Sequence, residues 1–379
     1  MENTISVNIE VYEKLRQRFD KFGAGMEKPE QHGGEPGSDI ELLRSMYTEH
    51  EAEVALHIPY DTFATAEEIY NSQTNEQSNP MIRKVDLELL SRSLEIMAKK
   101  GIIFRRKRDG RIEYILVPLM IGVLEYQGGR LDSGYWEQLG AFFPSLAANT
   151  FSRGLPVMRV LPKTDDNVKV NNTVVPYDDI MSLLDQKEKF AVSECTCRLR
   201  PMQFGEPCNK SLETCMTYDE WADFYANMGI GRYITREEAK EIIRRNEREG
   251  LVTLAIVSKD IEMTCACCPC HCAILNIASK TDSKDRELFS NYYLEQDKST
   301  CSNCKSCVKR CPMNACQPDD NGNVTLLDEL CIGCGVCLNS CPSKSRVLKR
   351  KEQVFEPEQT CYESYVKMGE FNEQKKVMV

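Results

Sequence analysis

Residues 1–194 contain no cysteine, so soft-metal chemistry in this chain of 379 residues is confined to positions 195 onward. Long apolar runs are also missing. The longest, residues 114–124, is about half a membrane span and contains Pro118, which argues against a transmembrane helix. The opening MENTISVNIE lacks both the cationic and the apolar part of a secretion signal, and a cytoplasmic location is expected. Cations are the minority charge, 48 Lys+Arg against 58 Asp+Glu, and a net charge of -10 argues against a general binder of nucleic acid or anionic lipid. No glycine-rich dinucleotide fingerprint follows a strand and there is no phosphate loop, which disfavours flavin, nicotinamide or ATP chemistry of the chain's own.

What is abundant is cysteine after that boundary: 19 in all, bunched between Cys195 and Cys341 except for Cys361. A disulfide framework belongs to small secreted chains, and its cysteines do not crowd as they do in CACCPCHC. Metal binding in a reducing compartment is the expectation.

The N-terminal part reads as short helices opened by Ser38-x-x-Glu41, Thr48-x-x-Glu51 and Thr65-x-x-Glu68, after a flexible Gly/Pro/Glu-rich linker at 23–37. Leu87, Leu90, Leu94 and Met97 lie at helical spacing before Gly101, and IIFRRKRDGRIEYILV then reads as a hairpin turning at Asp109-Gly110. Helix, turn, helix and hairpin describe a winged-helix-like domain. Asp86 and Glu88 at the start of the would-be recognition helix oppose DNA binding, whereas the basic residues of 99–111 favour it. A protein-docking or structural role is the expectation.

Signals weaken over 135–193, with short strands in VMRVLP and TVVPYD and one helix near 178–184. Thr217-x-x-Glu220 and Thr235-x-x-Glu238 then announce two helices, and LVTLAIV a buried strand. Trp221, Phe224, Tyr225 and Met228 read as core packing.

The sharpest feature is a repeat of period thirty: Cys301, Cys304, Cys307, Cys311 and Pro312 recur as Cys331, Cys334, Cys337, Cys341 and Pro342. Three thiolates at x2-x2 spacing let one tight loop wrap three corners of a four-iron cube, and the fourth must come from the opposite side. Paired zinc sites have no use for the third cysteine at that spacing. Cys301, Cys304, Cys307 and Cys341 are assigned to one cluster, and Cys331, Cys334, Cys337 and Cys311 to the other. The repeat resembles the bacterial-type two-cluster ferredoxins, which implies two [4Fe-4S] clusters and one-electron transfer. With about two negative charges on each oxidised cluster, residues 299–350 net about -1, far less acidic than the chain as a whole. Lys305, standing where the second repeat has Gly335, is expected to raise the potential of its cluster.

Upstream, Cys195, Cys197, Cys208, Cys215, Cys265, Cys267, Cys268, Cys270 and Cys272 remain, and metal-free they would be an oxidation hazard. They are expected to hold one or two further Fe-S clusters or a zinc ion, with His271 as a neighbour and Cys316 and Cys361 as ordinary small side chains.

With Cys195-Thr196-Cys197-Arg198, the dense run 265–272 and the repeat, the chain resembles the larger 4Fe-4S ferredoxin-like proteins of anaerobic bacteria and archaea, although its middle run carries Pro269 and His271 where theirs contains glycine. The resemblance and the patterns together imply a multidomain α+β protein. Its parts are a winged-helix-like domain at 1–134, a Cys-rich mixed α/β middle domain at 135–290, a two-cluster ferredoxin fold at 291–350 and a tail at 351–379. The expected function is single-electron transfer to a redox partner protein or oxidoreductase complex, as a carrier or subunit rather than a self-sufficient enzyme. The alternatives are an Fe-S redox-sensing transcription regulator and a reductase subunit with an unusual cluster.

Overall fold

A computed structural model of the chain describes residues 8–22, 25–75, 86–128, 133–152, 156–162, 170–171, 174, 176–278 and 288–378. Two compact units emerge, one of Met1–Arg153, Phe224–Ile230 and Tyr365–Val379, the other of Gly154–Asp223 and Gly231–Ser364. Among the described residues no helix is long and apolar enough to cross a membrane.

In the first unit, helices Ser38–Met46, Glu49–Ala55, Ala66–Asn75 and Leu87–Lys100 precede a hairpin of β1 (Phe104–Arg108) and β2 (Arg111–Ile115). Thr48 and Glu51 cap each other reciprocally, as do Thr65 and Glu68. Ser38 does not: it is the first helical residue, behind a left-handed Gly37, and no side chain caps that helix. Nor is 25–37 a loose linker, because Met26 and Pro29 are buried and residues Pro29–His32 form a 3-10 turn. Asp86 accepts from the Leu89 amide and so spends its carboxylate on capping. The hairpin turns through Asp109 and Gly110, both at positive φ, as a two-residue connection requires. Helix Ser133–Ser152 has no counterpart in the sequence reading, since its apolar residues run all round it and Pro144 sits inside. Phe224 and Tyr225 are core residues, with Phe224 stacked 4.7 Å from Phe104 and 4.9 Å from Tyr126.

The second unit contains the cysteines. Its strands are β3 (Met158–Val160), β4 (Val170–Asn171), β5 (Phe190–Glu194), β6 (Glu213–Tyr218), β7 (Arg232–Ile234), β8 (Val252–Ile256), β9 (Met263–Cys267), β10 (Leu288–Phe289), β11 (Tyr292–Gln296), β12 (Cys316–Pro318), β13 (Val324–Leu326) and β14 (Arg346–Arg350). Seven of them form one sheet in the order β10-β3-β8-β9-β6-β5-β7, antiparallel except at the β10-β3 edge. Helix Arg236–Arg248, capped by Thr235, packs Ala239, Ile242 and Ile243 onto Phe190, Val192, Met216 and Tyr218 of that sheet. The Thr217 box fails. Thr217 is a buried residue of β6, and the following helix starts at Glu220 after a left-handed Asp219.

A second sheet, β11-β14-β4, and the β12-β13 hairpin carry the thirty-residue repeat. Tyr292 to Gln296 pair antiparallel with Arg350 to Arg346, so the two ends of the repeat are hydrogen-bonded together. The first sheet is joined to this module by buried polar groups. Arg159 on β3 bonds Asp178 and the Ser258 carbonyl (2.8 Å), and Asn291, just before β11, donates to Asp178 at 2.9 Å.

Candidate metal centres

None of the nineteen cysteines is in a disulfide. In the repeat, each triplet lies on a turn built from left-handed residues. Asn303 and Lys305 have φ of 53° and 59° where Gly333 and Gly335 have 63° and 74°, so both halves make the same turn with different residues. At Gly333 the glycine is obligatory, since a Cβ there would lie 2.2 Å from the Tyr292 carbonyl oxygen. Asn303 is tolerated because its side chain works, accepting from the Val324 amide at 2.9 Å and donating to Asn323 at 3.0 Å. Lys305 is exposed.

The structure lines one cavity with Cys331, Cys334 and Cys337 from the second repeat and Cys311 from the first, under Leu294, Met313, Leu326 and Ile332. Cys311 reaches it from the end of helix Ser306–Arg310, and its sulfur accepts from the Ala315 amide at 3.2 Å. Contact with Cys316 and burial push the Cys311 thiol up, and burial does the same at Cys331 and Cys334. A bound cation removes such protons outright. The sulfur lining, the apolar walls and an amide aimed at one ligand are the donor set that a cluster needs. Cys301, Cys304 and Cys307 lie on the other triplet, Cys307 buried and Cys304 exposed, with hydroxyls of Ser306 near Cys304 and of Ser343 and Ser345 near Cys341. Cys316 proves more than a small filler. It lines the cavity, touches Cys311 and Cys337, and receives a hydrogen bond from Arg346.

The nine upstream cysteines gather at one end of β6 and β9. The antiparallel register Met216↔Thr264 and Thr217↔Met263 continues to Cys215 beside Cys265, so the sheet itself places these thiols together. Contacts then run from Cys265 to Cys267, to Cys272 and to Cys197, whose neighbour is Cys195 at the start of helix Thr196–Gln203. Hydrogen bonds from Cys197 and Cys267 bring the Cys272 thiol down to about 5, whereas the contact with Cys197 raises Cys195. Cys208, Cys268 and Cys270 gather separately with His271, their ligand atoms all within 4.8 Å of one another.

Arg198 stands between the two groups, fully buried. It donates to the Ser211 carbonyl, to Thr214 Oγ1 (2.9 Å) and to the carbonyl of Ala266, the residue between Cys265 and Cys267. One guanidinium thus fastens the segment bearing Cys208 and Cys215 to the strand bearing Cys265. The C-x-C-R signature was legible in the sequence; the arginine's role was not, because its partners are two backbone carbonyls and a threonine hydroxyl that only folding brings together.

The basic stretch at residues 99–111 of the first unit, the end of a helix and the hairpin after it, is largely neutralised. Lys100 pairs with Glu51 (2.6 Å), Arg105 with Glu95 (2.8 Å), Arg106 with Glu113 (2.8 Å) and Arg111 with Glu68 (2.7 Å).

Residues 300–346 match the family model described as a 4Fe-4S dicluster domain. Over 48 residues the chain is 46% identical to a tetrathionate reductase subunit of Archaeoglobus fulgidus, covering 12% of this chain and 23% of that protein. Over 57 residues it is 37% identical to pyruvate synthase subunit PorD of Methanocaldococcus jannaschii, 15% of this chain and 66% of that one. A longer, weaker likeness, 25% identity over 158 residues, links 38% of the chain to 70% of the uncharacterized ferredoxin-like protein YdhX of Escherichia coli O157:H7. The chain thus spans less than two thirds of the first two relatives. These matches define the C-terminal module as ferredoxin-like and 4Fe-4S-binding. The whole is an iron–sulfur protein similar to subunits of oxidoreductases.

Proposed function

We propose that this protein passes single electrons to a redox partner through two [4Fe-4S] clusters, as a carrier or as a subunit of an oxidoreductase complex. Cys331, Cys334, Cys337 and Cys311 would hold one cluster, and Cys301, Cys304, Cys307 and Cys341 the other. The observation that carries this reading is the meeting of Cys311 with the second triplet at one cavity, because a crossed ligand set is what lets a thirty-residue repeat fold around two cubes. When bound, the clusters supply one-electron redox chemistry. The chain contributes four sulfurs for each, apolar walls and the Ala315 amide at Cys311. Three ion pairs on the hairpin and one at Lys100 before it leave little free charge for phosphates, so the N-terminal winged-helix-like region reads as a docking or structural domain and the DNA-binding regulator is disfavoured. A cytoplasmic setting suits a chain whose cysteines form no disulfide.

Oxygen-free protein with iron and sulfide counted per chain tests this directly. About eight irons from the dicluster module, and EPR of the reduced protein showing two interacting clusters, are expected. Iron-poor, colourless protein would sink the proposal.

A further inference from the structure

We propose that Cys208, Cys268, Cys270 and His271 form a closed Cys3His site for one tetrahedral zinc ion, distinct from the six-sulfur group of Cys195, Cys197, Cys215, Cys265, Cys267 and Cys272. The inference rests on the middle segment being metal-binding, and not on electron transfer through residues 300–346.

Spacing decides the nuclearity. The four ligand atoms lie within 4.8 Å of one another, and the sulfurs of Cys208 and Cys270 are 3.9 Å apart. A tetrahedral ion with bonds of about 2.3 Å sets its thiolates about 3.8 Å apart. A four-iron cube mounts each thiolate on its own corner iron and spreads the sulfurs to roughly 6 Å. Four atoms so close together suit a single ion and crowd out a cube. Among the described residues, which include every cysteine, no other set of three or more His, Cys, Asp or Glu side chains converges as tightly.

The histidine supplies an independent sign. His271 Nε2 lies 3.2 Å from the Glu206 carbonyl oxygen, an acceptor, so that nitrogen carries the proton. Nδ1 is buried and has no hydrogen-bond partner. An imidazole held through one nitrogen by a backbone carbonyl, with the other nitrogen buried and unpartnered beside three thiols, matches the posture of a metal-bound histidine. Without an ion, that buried lone pair is a polar group left unsatisfied.

The chain delivers these four groups from two loops. Cys208 follows helix Thr196–Gln203, and its loop is fastened by Lys210 Nζ to the Glu249 carbonyl (2.7 Å) and by the Ser211 amide to the Glu249 carboxylate (2.9 Å). Cys268, Cys270 and His271 leave the end of β9 together, with Pro269 restricting the turn between the first two. Three thiolates and an imidazole, with no carboxylate and no vacant position, select zinc over magnesium or calcium and make a structural site rather than a catalytic one. The ion would tie the Cys208 loop to the 268–272 loop.

The test uses the full chain, purified without oxygen, with zinc, iron and sulfide counted. One zinc per chain is expected. Cys270→Ser should lower zinc at least tenfold with iron and sulfide unchanged, and His271→Cys should keep the zinc as a four-cysteine site. Protein produced with cobalt(II) in place of zinc should show the intense visible bands of tetrahedral thiolate-bound cobalt, and this holds even if Cys270→Ser fails to fold. Zinc-free protein, iron lost together with Cys270, or a cobalt spectrum without thiolate bands would each overturn the site. Iron-poor protein that keeps its zinc would defeat the electron-transfer reading while supporting this one.

Discussion

Buried Arg346 donates from Nη1 to Cys316 Sγ across 3.3 Å. Burial opposes its charge, yet the sulfurs of Cys316, Cys337, Cys307 and Cys341 hold its pKa above the ordinary value. Those sulfurs include ligands assigned to both clusters. A cation inside the module resists the loss of positive charge and favours the reduced clusters.

Arg346→Gln should therefore lower both reduction potentials, by about 50 mV, a shift worth roughly a factor of seven per electron. Exposed Lys305 is screened by solvent, and Lys305→Gly should move its cluster by less than Arg346→Gln does. EPR-monitored redox titration decides the order, and a larger effect from Lys305 would reverse the assignment.

Gly333→Ala should cost a cluster. The new Cβ would sit 2.2 Å from the Tyr292 carbonyl oxygen, so the loop carrying Cys331 and Cys334 must move. Iron analysis should fall by about four atoms per chain, half the dicluster content. Full iron retention would mean that β11 can yield.

Arg198→Lys should loosen the middle metal centres without touching the dicluster module. Lysine cannot reach the Ser211 and Ala266 carbonyls and Thr214 at once, and breaking such a buried network costs about 2–4 kcal/mol. Metal counts should drop only in the part not bound by residues 300–346, and reduced-state EPR of the dicluster should be unchanged.

Glu262 gives a pH signature. Burial pushes its carboxyl from 4.5 up to about 7, although Ser258 Oγ (2.6 Å) and the Cys361 amide (2.8 Å) bond to it. The folded state keeps a proton that the unfolded state releases, so this group's contribution declines as pH rises from about 4.5 through about 7, by about 3 kcal/mol in total. Glu262→Gln can still accept from the Cys361 amide, and Ser258 can turn its hydroxyl to the Asp260 carbonyl (3.2 Å). The variant should melt higher than the parent at pH 8 and about the same at pH 5. A difference that ignores pH would refute this origin.

Local signals were legible where neighbours in sequence make the structure. The cysteine repeat, the Asp109-Gly110 hairpin and the Thr48, Thr65 and Thr235 caps each depend on a few adjacent residues. Thr217 carried the same capping pattern and was overruled, because β5 and β9 claim it as the interior of a sheet. Helix Ser133–Ser152 escaped notice because it lacks a polar face. The division of nine cysteines into six and three was hidden for a related reason: strand register and the long reach of Arg198 decide it, and neither is written in spacing.

The outer edge of β14 is covered by Val170 and Asn171, which lie 178 residues before their partners Leu348 and Lys349 in the chain. The dicluster segment is thus not a detachable cassette. Cut out at residues 291–350, it would present a naked row of amides and carbonyls, and such fragments would be prone to zip together edge to edge.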